Sequence, residues 1–186
     1  MKQYLTLIFF LLLTGTFVEA QVNTNFEPSD SIFATFPIPV DKPERLFYIQ
    51  RDKNADTVVY DALLSTEGQL DSKKPIDVYW IQYTKDQSRN ELNFIQRTIG
   101  YGVKTKVQND GSYLVQFAAS DRKTFTVQQD DTGKIYAKTT INDIPAKLEK
   151  IYVKAKETSW LPKVEYVDIY GWAIDTGNLV KERLLP

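Results

Sequence analysis

The stretch Tyr101–Ala118, YGVKTKVQNDGSYLVQFA, decides the fold class. In its first half Tyr101, Val103, Thr105 and Val107 fall on one side, and Lys104 and Lys106 on the other. That is the period of two expected of a half-buried β-strand. Asn109-Asp110-Gly111 follows, the strongest hairpin signal in the chain, because Asp and Gly readily adopt positive φ. Ser112–Ala118 should therefore turn back and pair antiparallel with Tyr101–Val107.

Working outward, the same rhythm recurs. Toward the C-terminus it gives strands over Thr124–Gln129, Lys134–Ile141, Lys147–Glu157, Val164–Asp175 and Leu179–Arg183. Turns lie at Ser120–Lys123, Asp130-Asp131-Thr132-Gly133, Asn142-Asp143-Ile144-Pro145 and Asp175-Thr176-Gly177-Asn178. Toward the N-terminus the strands are Leu46–Arg51, Thr57–Leu64 and the strongly aromatic Ile76–Thr84, with a turn at Lys53-Asn54-Ala55-Asp56.

One segment breaks the rhythm. Ser88-Arg89-Asn90-Glu91 reads as a capping box, and Leu92, Ile95 and Ile99 then fall at helical spacing before Gly100. The spacing predicts one short helix, roughly Arg89–Thr98, packing those three residues on a sheet. Many short strands with turns every eight to twelve residues make an all-β domain with one short helix. Unequal strand lengths favour an antiparallel β-sandwich, with a barrel as the alternative.

Residues 1–20 read as a signal peptide: basic Lys2, an apolar run Tyr4–Leu13, and Val18-x-Ala20 ahead of cleavage before Gln21. The run is short of the ~20 apolar residues that a membrane span requires. An uncleaved anchor is the alternative. Residues 21–44 read as a linker and extended lead-in, stiffened at Phe36-Pro37-Ile38-Pro39, and 45–186 as one β-rich domain. The expectation is an exported protein, periplasmic or extracellular, with no membrane span after cleavage.

Lys2 and Glu19 leave with the signal, so the net charge of −1 persists. That balance argues against nucleic-acid binding, which draws on a basic excess. Zero cysteine leaves stability to core burial, for which 3 Trp, 11 Tyr and 10 Phe supply the apolar area. Zero histidine with zero cysteine excludes Ser-His-Asp and Cys-His catalysis and most transition-metal sites. No cofactor is called for. Any catalysis would run on carboxylates, Lys, Ser/Thr, Tyr or Arg.

Arg45–Ala62 (RLFYIQRDKNADTVVYDA), Pro75–Tyr83 (PIDVYWIQY), Glu91–Val103 (ELNFIQRTIGYGV) and the closing Trp160–Gly171 (WLPKVEYVDIYG) and Thr176–Glu182 carry a resemblance. Together they resemble the exported bacterial family catalogued as domain of unknown function 4833, found mainly in Bacteroidota. The similarity covers roughly residues 36–184. It implies a Gram-negative envelope or extracellular setting and brings no catalytic residue or cofactor.

Arg51, Asp61 and Arg97 adjoin aromatic strands or the expected helix. If they converge, Asp61 would sit between two guanidinium groups and a spare Arg could clamp a carboxylate or phosphate. The alternative is a salt bridge at a sheet edge, which contributes little. Tyr101 and Trp160 are the candidate aromatic rim for a sugar or peptide, Trp160 being the exposed ring, while Trp80 and Trp172 read as core. Glu165 and Asp168 lie three apart on one strand and face opposite ways, so a hydrolytic carboxylate pair needs a cross-strand partner such as Asp61 or Asp77. The Asp130–Gly133 and Asp175–Asn178 turns offer oxygens, but too few for a calcium loop. The reading is a non-enzymatic binding or interaction module whose partner is a glycan, a peptide or another envelope protein. Its rivals are a carboxylate-based hydrolase of envelope polysaccharide and a structural subunit.

Overall fold

The computed structural model describes residues 36–51, 54–156 and 163–186. The expected signal peptide, most of the expected linker and Trp160 lie outside the described residues. Eleven strands form: β1 Arg45–Arg51, β2 Asn54–Ala62, β3 Ile76–Ile81, β4 Arg89–Glu91, β5 Val103–Val107, β6 Tyr113–Phe117, β7 Ser120–Gln129, β8 Ile135–Ile141, β9 Ile144–Lys156, β10 Lys163–Ala173 and β11 Leu179–Leu184. The all-β expectation holds. The hairpin at 101–118 pairs as its pattern requires, with Val107 opposite Tyr113 and Gly111 at φ 82° in the connecting loop.

The strands belong to one connected sheet curled into a half-barrel. Its order is β4-β3-β2-β1-β9-β8-β7-β6-β5, and β9 also carries β10 and then β11. The 13-residue β9 is where the sheet divides. Its first residues pair with β8 (Ala146 opposite Thr139), and the later ones run parallel to β1 (Tyr48 opposite Lys150). β10 covers its other edge over most of its length. Two wings, β1–β4 and β5–β8, thus grow from β9 and face one another. The architecture takes its connectivity from the barrel alternative and its facing layers from the sandwich.

Aromatic rings fill the space between the wings. Phe47 of β1 stacks on Tyr60 of β2 with centroids 4.3 Å apart, and meets Phe125 of β7 edge-on at 5.0 Å. Phe117 closes on both Phe47 and Tyr60 at 5.9 Å. Each such ring, when fully buried, contributes about 1.5–3 kcal/mol. The Tyr60 hydroxyl donates to the Tyr101 carbonyl at 2.7 Å, so the polar tip of this core ring is satisfied at its margin.

The expected short helix forms, but later in the chain than Arg89–Thr98. Arg89–Glu91 instead pairs as β4 with β3, Asn90 standing opposite Trp80. Satisfying the ladder groups of β3 outweighs the local helical spacing. The helix that follows is a single π-helical turn, Gln96–Gly100, closed by the Tyr101 amide donating to the Gln96 carbonyl at 2.7 Å. Leu92 is buried, whereas Ile95 and Ile99 are 65% and 68% exposed, contrary to the packing that a helix implied. Trp172 is likewise half-exposed on the outer surface rather than in the core.

Candidate functional site

At the end of the β1–β4 wing, a concave mouth of about 330 Å³ opens beside the buried core. Its wall begins with Trp80 of β3, a core residue by burial and a pocket residue by position. The β3 alternation sends Val78 and Trp80 toward the core, and Tyr101 braces the indole edge-on at 5.0 Å. The Trp80 Nε1–H is buried and has no hydrogen-bond partner. An unsatisfied buried donor costs about 1–3 kcal/mol unless an acceptor reaches it.

Carboxamides ring that indole. Gln82 follows β3, Asn90 lies in β4, and Asn93 and Gln96 come from the turn beyond, all four lining the mouth. Asn93 and Gln96 form a reciprocal capping box: the Gln96 amide donates to Asn93 Oδ1 at 2.9 Å, and the Asn93 amide donates to Gln96 Oε1 at 3.0 Å. The box uses their side-chain oxygens and leaves their NH₂ groups as donors. Asn90 does the reverse, spending Nδ2 on Ser88 Oγ at 2.8 Å and leaving its oxygen as an acceptor.

Three charged residues complete the lining: Arg51, Asp56 and Glu91. Asp56 Oδ1 accepts the Thr84 hydroxyl at 2.8 Å and the Thr84 amide at 3.1 Å. Glu91 receives Arg89 at 3.0 Å and Arg97 at 3.2 Å. The Arg89 hydrogen bond first, with Arg97 adding to it, holds the Glu91 carboxyl below its ordinary range. Phe94, next in sequence to the lining residue Asn93, is 81% exposed.

Three of the residues singled out from the sequence meet here. Arg51 lines the mouth, Tyr101 supports its indole, and Arg97 secures its Glu91. Asp61 does not join them. Antiparallel register sets Arg51 opposite Asn54 at one end of the β1–β2 pair and Asp61 opposite Arg45 at the other. Asp61 there receives Arg45 Nε at 2.5 Å and the Tyr79 hydroxyl at 2.7 Å. The central ring is Trp80, and Trp160 lies outside the described residues. The Asn93-x-x-Gln96 spacing, itself a capping signature, marked the true start of the turn, and the Ser88–Glu91 spacing concealed it.

Register does bring one carboxylate pair face to face, Asp61 and Asp77 on β2 and β3. Both are tied down, Asp61 as above and Asp77 by Lys74 at 2.8 Å and Arg89 at 2.5 Å. Burial alone would raise the Asp77 carboxyl, yet those two cations hold it below its ordinary value. Asp168, 1% exposed by side chain, is gripped by Arg183 and Lys181. The Asp130 turn consumes its own oxygen, Oδ1 accepting from the Thr132 hydroxyl and from the Thr132 and Lys134 amides. Among the described residues no three acidic side chains gather as a metal site would require. Nor, among them, is any helix long and apolar enough to cross a membrane.

A family model described as domain of unknown function (DUF4833) matches residues 47–183, and the chain belongs to that family. No curated protein and no solved structure matches the chain.

Proposed function

We propose that this DUF4833 protein is an exported binding module, periplasmic or extracellular, whose mouth at Trp80 takes a hydroxyl-rich glycan. The observation that carries the reading is a buried indole donor without an acceptor, set among four carboxamides. Carboxamides both donate and accept, as sugar hydroxyls do, and the indole adds an apolar wall against which a pyranose ring can lie. The volume of about 330 Å³ falls within the range of small-ligand pockets.

Asp56 and Glu91 share the mouth, which raises hydrolysis as an alternative. Glycoside cleavage needs one carboxylic acid kept protonated, with its pKa raised. Glu91 is shifted the other way by Arg89. Binding without cleavage is therefore the reading that the geometry supports.

The test is titration of the purified protein with neutral and acidic oligosaccharides, followed by the three indole N–H resonances. Saturable movement of the Trp80 resonance, lost in Gln82→Leu and Asn90→Leu, is the expected result. A glycan screen without a ligand, or ligands that leave the Trp80 resonance fixed, would remove the proposal.

A further inference from the structure

A second concavity lies across the sheet from the first, where the lead-in 36–42 passes over β1 and β3. It encloses about 520 Å³ and opens to solvent as a groove. Its floor and one wall are apolar, formed by Tyr79 and Ile81 from the sheet, Tyr83 from the turn after β3, and Ile38 and Val40 from the lead-in. Ile38 and Val40 are 72% and 75% exposed, although each borders this groove. Scattered exposed aliphatics need no explanation, but two on one apolar channel form a patch.

The charges along the groove have one sign. Lys42, Arg45 and Arg89 line it, and no carboxylate does. Arg45 is the deepest, with its side chain only 9% exposed. It gives Nε to Asp61, and among the described residues no carboxylate is bonded to its two Nη groups. Arg89 gives Nη2 to Asp77 and Glu91 and lays its guanidinium on the Tyr79 ring at 4.0 Å. Lys42 is exposed at the rim. A guanidinium with spare N–H groups beside an apolar channel matches a ligand that has an anionic head and an apolar body.

We infer that this groove binds a single-chain amphipathic carboxylate, the head on Arg45 and Lys42 and the chain along Ile38, Val40 and Ile81. The inference rests on a surface separate from the mouth at Trp80 and stands independently of the glycan proposal. Calorimetric titration of the full chain with hexanoate, octanoate and decanoate, each below self-association, tests it. Affinity should tighten about four-fold for each added methylene. Octanamide, which keeps the chain and loses the charge, should bind at least ten-fold more weakly than octanoate. Lys42→Gln and Ile38→Asp alter exposed side chains and should each weaken decanoate at least three-fold while leaving the circular dichroism spectrum unchanged. Absence of saturable decanoate binding, equal affinity for octanamide, or indifference to both substitutions would overturn the assignment.

Discussion

Arg183 holds Asp168 with two nitrogens at once, Nε donating to Oδ1 and Nη2 to Oδ2, each over 2.7 Å. The two residues are direct register partners on β10 and β11, and Lys181 approaches the same carboxylate at 3.1 Å. Register thus converts a buried charge, costly if alone, into a clamp on the edge strand β11. Burial by itself would raise the Asp168 carboxyl, but Arg183 and Lys181 together hold it below its ordinary value. A depressed folded-state pKa means the stabilisation is complete above about pH 4 and is lost as pH falls through the folded value. Arg183→Ala should cost about 1–2 kcal/mol at pH 7, modest because the Arg183 side chain is 45% exposed. Urea unfolding at pH 7 and pH 3 checks this, and the variant should lose less stability than wild type between the two.

Gly171 sits at the β10 irregularity that follows Tyr170. A Cβ there would stand 2.5 Å from the Lys147 carbonyl oxygen and 2.8 Å from Ile141 Cδ1. The first contact is backbone and cannot swing away. Gly171→Ala should destabilise the fold by about 1–3 kcal/mol through overpacking. Gly100→Ala, where nothing lies within 4 Å, is the matched control and should be nearly neutral. Equal melting temperatures for the two variants would contradict the account.

The two-residue turn Asn142-Asp143 joins β8 to β9, and both residues have positive φ, 47° and 63°. Such a turn twists with its strands and favours Gly at its second position. Asn142 also donates Nδ2 to the Lys181 carbonyl at 2.7 Å, so it should be kept. Asp143→Gly should therefore stabilise by about 0.5 kcal/mol, and Asp143→Val should destabilise by about 1–2 kcal/mol. Thermal melts of the pair must move in opposite directions.

The hairpins were legible in the sequence because their information is local. Alternation at Val103, Thr105 and Val107 and the glycine at 111 specify pairing without reference to the rest of the chain. The division at β9 was not legible, since Tyr48 finds Lys150 across about a hundred residues and nothing local encodes that parallel register. The helix starts later than its spacing suggested for a related reason: Leu92, Ile95 and Ile99 have helical spacing, but the open edge of β3 competes for Asn90. Part of the site was recoverable. Counting outward from the turn after Arg51 would have set Asp61 near Arg45 and away from Arg51, although the two register shifts between the strands hide the exact pairing. That Trp80 borders both core and pocket could not be read, because the same alternation that buries a ring says nothing of where the opposing wing ends.

Lys150 and Lys181 bracket one ring, their ammonium nitrogens 5.1 and 5.2 Å from the centroid of Tyr170. Burial first, and then the charge of Lys181, pull the Lys150 pKa down to about 8, against the opposing pull of Glu149. An unfolded lysine titrates near 10.4. Between these values the unfolded chain binds more protons than the folded one, so stability should rise with pH from about 8 to about 10. Below pH 8 the group is protonated in both states, and the penalty for holding that charge stays constant. Lys150→Met removes the penalty while keeping the stem against Tyr170. The variant should exceed wild type in stability at pH 7, and the difference should shrink toward pH 10. Paired urea unfolding curves at pH 7, 8.5 and 10 read this directly. A difference that is flat or widens with pH would place the Lys150 charge in a favourable setting and refute the argument.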